Sequence, residues 1–512
     1  MTQNRRIFLN IVATYGRSLY ALVIGLFTAR WAFNALGVVD YGLYGVVAGL
    51  TGFIAYFNNI LGGAVGRFYA VSVGGQRMDS VAGLMTCRMW FTTAIVIHTV
   101  LPSILMLIGY PIGVWAIQNF LTVPPDRVEA CVCVWRFVCV TCFLSMASVP
   151  FNAMYTAKQY IAELTIYSFF TTTANACFLY YMITHPGFWL TRFALWQCLL
   201  GLAPNLIIAI RACCLFQECR FLKKYANCWG NVKTLSKYAF WSAWGGFGAM
   251  LRDQGGSVLV NMHFGPKENA GMNIGASISS HTNTLSGSMI GAFSPAIYNA
   301  WGAGDFDLAR TLAYQTCKIG TLCILVFSIP LAIEVDHVLI LWLKTPPDHA
   351  AGFCLFVLLM NVIDKLAVGH MIAVAANGKI ARYQIFLGTS LVVTLPLAWL
   401  LVEFGVGIYS IGWAMVATML VCALGRVWFA RHLVGMSSRY WLRRIFSPIM
   451  IVTVFSVAVG NIPKFMMEAS FLRVLVTTGL VESVLIPLSW FFVLEQVERE
   501  FVVKHVQRLF RR

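Results

Sequence analysis

The sequence predicts an all-α polytopic membrane protein of about fourteen transmembrane helices, on three observations. Long apolar stretches recur through all 512 residues, each near the about 20 residues that a helix needs to cross ~30 Å of hydrocarbon. Charged residues make up 11% of the chain, against ~25% in soluble domains, and the mean hydropathy is +0.74. Basic residues also crowd the connections between alternate stretches. Because no segment between stretches is large enough to fold as a soluble domain, most soluble enzyme classes are excluded. The net charge of +17 reflects Lys and Arg held in cytoplasmic loops, so no nucleic-acid partner is expected.

In chain order the expected spans are 11–35, 40–66, 82–109, 128–155, 159–183, 189–215, 235–263, 269–297, 308–333, 349–376, 380–403, 407–430, 445–461 and 471–494. The opening MTQNRRIFLN is polar and basic, and the long apolar stretch after it has no small-residue cleavage site, so it reads as a retained first helix. Most of the cysteines, including Cys131, Cys133, Cys139 and Cys142, fall within spans, where they act as small apolar residues. No metal site is expected from them.

Sidedness follows from charge. A cytoplasmic N-terminus puts Arg5, Arg6, Arg77, Lys158, Arg220, Lys223, Lys224, Lys233, Arg310, Lys379, Arg382, Arg431, Arg439, Arg443, Arg444, Lys504, Arg508, Arg511 and Arg512 inside. Outside fall Arg127, Lys267, Lys344 and Lys464, mixed with Asp40, Asp126, Glu268, Glu334, Asp336, Asp348 and Glu468. By the positive-inside rule both termini are cytoplasmic. Dropping one pair of spans keeps this parity, so twelve spans also satisfy it.

The basic linker 217–233 divides the chain. At an offset of 228 residues, Gly37, Asp40, Ala48, Gly63, Ala64 and Gly74 map onto Gly265, Glu268, Ala276, Gly291, Ala292 and Gly302. Six spans separate the copies, so the repeat is parallel, related by an axis along the membrane normal. The expected organisation is a six-helix bundle over 1–216, the linker 217–233, a second bundle over 234–430, a basic loop 431–444, and two further helices with a basic tail over 445–512. Duplicated transporters bind substrate between such halves, near the midplane.

Charges within spans cost ~2.5–3.5 kcal/mol each on insertion scales and are functional candidates by default. Arg252 and Asp253 lie in the seventh span, His281 in the eighth, and Asp364 and Lys365 in the tenth. In the eighth span, Asn273, Ser277, Ser280, His281, Thr284 and Ser288 recur at spacings of three and four and share one helical face. That face either lines a polar cavity or packs against another helix. In the first half Arg17 and Arg30 lie on the first span and Arg136 on the fourth, while Arg67 and Arg88 are placed to snorkel to the headgroups. Substrate-binding candidates are Arg17, Arg136, Arg252, Asn273, Ser277, His281 and Thr284; ion-coupling candidates are Asp253, His281 and Asp364. Adjacent Arg252 and Asp253, or Asp364 and Lys365, could equally neutralise one another.

Catalytic signatures are sparse. Asp305 and Asp307 form a lone DxD, and the chain has no Walker A loop, HExxH or GxSxG. No catalytic residue and no cofactor is expected.

The stretch TARWAFNALGVVDYGLYGVVAGLTGFIAYFNNILGGAVGRFYA, from Thr28 to Ala70, resembles the opening of the polysaccharide transporter family of the MOP flippase superfamily. DQGGSVLVNMHFGPKENAGMNIG from Asp253, FSPAIYNAWGAGD from Phe293, LWLK from Leu341 and ANGKIARYQI from Ala376 are similar to that family's counterparts. The resemblance extends to about residue 445; Ser294, Pro295, Ala296 and Ile297 depart from the NPQI that relatives often carry. It implies a flippase moving undecaprenyl-diphosphate-linked oligosaccharide across the bacterial inner membrane by alternating access, for surface polysaccharide such as the O-antigen of lipopolysaccharide. A monomer among membrane lipids, coupled to a proton or sodium ion, would hold the diphosphate on cavity arginines, whose planar fork suits it. The alternative is a MATE-type proton- or sodium-coupled drug or metabolite exporter, which shares the fold. A second alternative is a membrane glycosyltransferase or glycan polymerase, with Asp305 and Asp307 as its metal site.

Overall fold

The computed structural model describes residues 3–49, 52–76, 78–120, 123–185, 187–225, 229–264, 266–343, 346–496 and 498–500. Arg77, Lys344, Lys504, Arg508, Arg511 and Arg512 lie outside the described residues, as do the side chains of Arg5, Arg6, Arg30, Lys267 and Ser288.

Each expected span is mostly helical among the described residues, and no strand occurs there. The first half contains α1 (Gln3–Gly49), α2 (Gly52–Gly75), α3 (Ser80–Trp115), α4 (Val128–Ala157), α5 (Ile161–Thr184) and α6 (Leu190–Leu215). There follow α7 (Trp229–Phe264), α8 (Pro266–Gly302), α9 (Phe306–Ile333), short α10 (Val335–Leu343), α11 (Ala350–Leu366), α12 (Val368–Asn377), α13 (Ala381–Val392), α14 (Thr394–Glu403) and α15 (Ser410–Val434). The chain closes with α16 (Ser438–Trp441), α17 (Ser447–Gly460), α18 (Ile462–Met466) and α19 (Phe471–Leu488). Among the described residues eight helices are long and apolar enough to cross a membrane, nine if the bent pair α11 and α12 counts as one span. The chain is therefore a multi-pass membrane protein.

Local chemistry explains the boundaries. The first expected span and the opening of the second run together in α1, interrupted at Gly37, whose φ of 74° is open to glycine, and the rest of the second lies in α2. Asp79 caps α3 by accepting hydrogen bonds from the amides of Val81 and Ala82 at 3.0 and 2.9 Å. The tenth span is bent by 46° between Leu366 and Val368. The eleventh passes from α13 to α14 through Val393, which keeps helical backbone angles, and the only ladder bond lost is the one to Val392 that Pro396 cannot donate.

The chain divides into two compact units, Thr2–Phe240 with Tyr298–Asp305, and Trp241–Ile297 with Phe306–Arg512. In the first, α4 packs on α2, α3 and α6, and α1 on α5. Its core includes Tyr69, Met154 and Tyr155, each fully buried. Asp40 and Arg127, expected on one side of the membrane, pair at 2.9 Å. Lys158, expected on the other side, bonds Glu218 and Gln76. Arg67 differs from expectation: instead of snorkelling it is buried, its guanidinium 4.9 Å from the ring of Tyr238. The aromatic face replaces the headgroup as the cation's partner.

The same unit contains a reciprocal glycine contact. A Cβ on Gly302 would stand 1.9 Å from the carbonyl oxygen of Val71, and one on Gly74 would stand 1.9 Å from that of Asn299. Gly74 and Gly302, like Val71 and Asn299, are related by the 228-residue offset, so the offset maps one glycine–carbonyl contact onto the other. Backbone cannot move aside as a side-chain tip can. Gly302→Ala should therefore lower stability by about 1–3 kcal/mol through overpacking, read as a fall in melting temperature of the detergent-solubilised protein. An unchanged melting temperature would show that the crossing is loose.

In the second unit α9 packs on α11, α12, α17 and α19, and α15 on α11, α12, α13 and α14. Gly369 lets α12 reach α9: a Cβ there would stand 1.8 Å from the carbonyl oxygen of Ala313. The last helices are fastened to α9 at both ends. Glu334, fully buried, accepts from Arg473 Nη2 at 2.7 Å and from Thr477 at 3.0 Å. Lys318, 1% exposed at its side chain, reaches Glu495 and Glu498 at 3.3 Å.

Candidate functional site

Within the second unit α7, α8, α11, α13 and α15 enclose a cavity of about 430 Å³. Its polar wall is built from Arg252, Asp253, Asn273, Asn283, Asn361, Asp364 and Arg426, and Phe353, Phe356 and four methionines supply the apolar wall. Arg252 is buried and its Nε donates to Asp253 Oδ1 at 2.8 Å. The two partners differ in access, with side-chain exposures of 8% for Arg252 and 54% for Asp253. A pair of this kind offers a ligand one half-open carboxylate and one fixed guanidinium.

Asp364 is held differently. Its Oδ1 accepts from Arg426 Nη1 and its Oδ2 from Lys365 Nζ, both at 2.7 Å. The helix break just beyond explains the crowding, because interrupting α11 at Leu366 leaves carbonyls without an intrahelical donor. Arg426 also donates to the Asp364 carbonyl at 3.1 Å, and Trp441 Nε1 donates to that of Leu366 at 2.8 Å. The carboxylate is thus saturated by two cations, whereas Asp253 has one.

Between these ion pairs lies an amide network. Asn283 donates to Asn361 Oδ1 at 2.9 Å, and Asn361 Nδ2 donates to Ser279 and Thr282, each at 3.1 Å. It ties α8 to α11 across the cavity wall.

The sequence candidates divide accordingly. Arg252, Asp253, Asn273 and Asp364 line the cavity. Ser277, His281 and Thr284 are exposed and do not; Ser277 donates to the carbonyl of Asn273 and Thr284 to that of Ser280. On α8 the lining residues are Met272, Asn273, Ala276, Ser279 and Asn283. That stripe lies one residue before the expected one, a rotation of about 100° at 3.6 residues per turn. Arg17 and Arg136 belong to the other unit, where Arg17 is half-buried and exposed Arg136 donates from Nε to the Tyr110 hydroxyl at 3.2 Å. Arg426, Asn283 and Asn361 escaped sequence reasoning. For Arg426 the signal was present, since it is a charge inside the twelfth expected span.

The first unit has a smaller cavity of about 250 Å³, lined by Tyr44, Asn58, Thr141, Ser145 and Gln197 among others, with no carboxylate or cation. Among the described residues no group of three or more His, Cys, Asp or Glu is placed to hold a metal ion. Of the DxD pair, Asp307 is bound to Arg310 at 2.9 Å.

Residues 256–400, which include Asn273, Asn283, Asn361 and Asp364 of the cavity wall but not Arg252, Asp253 or Arg426, match the MatE family model. The match is to MatE rather than to the polysaccharide transporter branch. No curated protein matches the chain in sequence. Among solved structures it is similar to an outward-facing multidrug resistance MATE family transporter of the MOP superfamily, with a TM-score of 0.68 and 14% identity over 85% of this chain and 96% of that one. It is also similar to a MOP superfamily transporter from Pyrococcus furiosus Vc1, with a TM-score of 0.68 and 13% identity over 85% of this chain and 98% of that one. A MATE in its bent conformation aligns with a TM-score of 0.68 and 13% identity over 85% and 96% of the two chains. The chain thus has the fold of the MATE transporters of the MOP superfamily.

Proposed function

We propose that the chain is a MATE-type secondary transporter that exports a polar solute by alternating access, coupled to a proton or sodium ion, with Arg252 and Asp253 as its solute- and ion-binding pair. The observation that carries this reading is the charged cavity of the second unit, in which Asp253 is open and Asp364 is neutralised. An intramembrane carboxylate half-open to a cavity can exchange a proton or take a sodium ion; one bound by two cations is fixed in charge. We assign the coupling role to Asp253 and a structural role to Asp364. Two six-helix bundles with an appended helix pair, a monomer in a bacterial inner membrane and cytoplasmic termini complete the proposal.

The lipid-linked oligosaccharide flippase remains a second reading, favoured by two guanidiniums on one cavity. A planar guanidinium suits a diphosphate, and here each donates to a carboxylate of the same wall that a diphosphate would have to displace, Arg252 to Asp253 and Arg426 to Asp364. The Pyrococcus relative is described as having a pocket of reverse polarity that suggests a different function, so cavity charge does vary within this fold.

The test is transport in proteoliposomes under an imposed pH or sodium gradient. Asp253→Asn should cut gradient-driven transport at least about tenfold, corresponding to ~1.4 kcal/mol of coupling. Unchanged gradient dependence would remove Asp253 from the site. Accumulation of an undecaprenyl-diphosphate-linked oligosaccharide on deleting the gene would replace the exporter with the flippase.

A further inference from the structure

Outside the transport cavity, the face of α13, α14 and α15 carries an apolar groove of about 650 Å³, lined by Ile385, Phe386, Val393, Leu397 and Val421, with Arg382 at one end. Val393 lies midway along it, where α13 passes into α14. Thr394 is buried and bonds Thr418 at 2.8 Å, and its neighbour Val393 is exposed. From Arg382 to Leu397 the groove follows the helices for about 22 Å at ~1.5 Å per residue. One leaflet contributes ~15 Å of the hydrocarbon core, so the groove spans the length of one acyl chain.

Its charged end is unusual. Lys379, Arg382 and Arg431 are exposed, and no hydrogen bond or ion pair engages them among the described residues. The hydrogen bond from Asn377 Nδ2 to the Leu433 carbonyl, 2.7 Å, joins the end of α12 to the end of α15 and gathers the three at one level. Between Ala376 and Val434 the only acidic residue is Glu403, at the far end of α14. Trp428, 55% exposed, marks the same level, where amphipathic rings favour the headgroup region.

We propose that this groove binds one anionic phospholipid, its acyl chain along Ile385, Val393 and Leu397 and its headgroup phosphate on Arg382, with Lys379 and Arg431 adding attraction. A zwitterionic headgroup carries its own cation into that field, and an anionic one does not. Each basic side chain near the headgroups adds attraction worth about fivefold in affinity. The inference is independent of what the transport cavity carries.

Native mass spectrometry of the full chain in mild detergent tests it, with phosphatidylglycerol and phosphatidylcholine of matched chain length. One phosphatidylglycerol should be retained in preference to phosphatidylcholine. Arg382→Gln should weaken that retention about fivefold, and Val393→Trp, which fills the groove, should abolish it. Elution volume and helical circular dichroism report that both variants are folded. Equal retention of the two lipids, or wild-type retention by folded Arg382→Gln, overturns the proposal. So does a dimer that Val393→Trp converts to monomer without loss of lipid, which would assign the groove to a second copy of the chain.

Discussion

Arg473→Ala is expected to lower the stability of the detergent-solubilised protein by about 3–5 kcal/mol, because it leaves a buried carboxylate without a counter-charge. Glu334 is fully buried and Arg473 covers it with Nε and Nη2, so the alanine variant strands a charge that Thr477 alone cannot satisfy. The defect should fall where α19 meets α9, loosening the last helices. Replacing both partners together, Glu334→Met with Arg473→Met, should recover most of the loss, since an apolar pair is often no worse than a buried ion pair. Thermal unfolding of the wild type and the two variants gives the answer. A double variant no more stable than Arg473→Ala would mean that the surrounding shape, not the stranded charge, sets the cost.

The second large effect is expected at Asp364. Asp364→Asn leaves Arg426 and Lys365, each 7% exposed, as two buried cations with no carboxylate between them. The expected loss is again about 3–5 kcal/mol, partly recovered by Asp364→Asn combined with Arg426→Met. This separates the two aspartates of the cavity: Asp253→Asn should alter coupling with little change in melting temperature, and Asp364→Asn the reverse. If Asp364→Asn melts like the wild type and loses gradient dependence, Asp364 is the coupling carboxylate and the assignment to Asp253 fails.

The legible part of the site was its inventory. Arg252, Asp253 and Asp364 announced themselves as charges in apolar spans, a signal that needs no knowledge of neighbours. Asn361 and Asn283 gave none, because an amide in a span is inexpensive and becomes telling only when its partner is known. The α8 stripe shows the limit of periodicity. Spacing identified a polar helix, yet the residues facing the cavity are Asn273, Ala276, Ser279 and Asn283. The helix carries polar residues around much of its circumference, so its rotational setting could not be read from spacing.

By itself the sequence determined a polytopic helical membrane protein and the approximate positions of its helices. These are local properties: burying backbone polar groups in hydrocarbon requires a helix within each apolar stretch. Only the tertiary structure decided which charges meet. Asp364 with Arg426 and Glu334 with Arg473 are 62 and 139 residues apart in the chain, and no spacing rule couples positions that far apart. The tertiary structure also put the break at Ala367, where the packing of α12 on α9 and the donors Arg426 and Trp441 make an interrupted helix cheaper than a straight one.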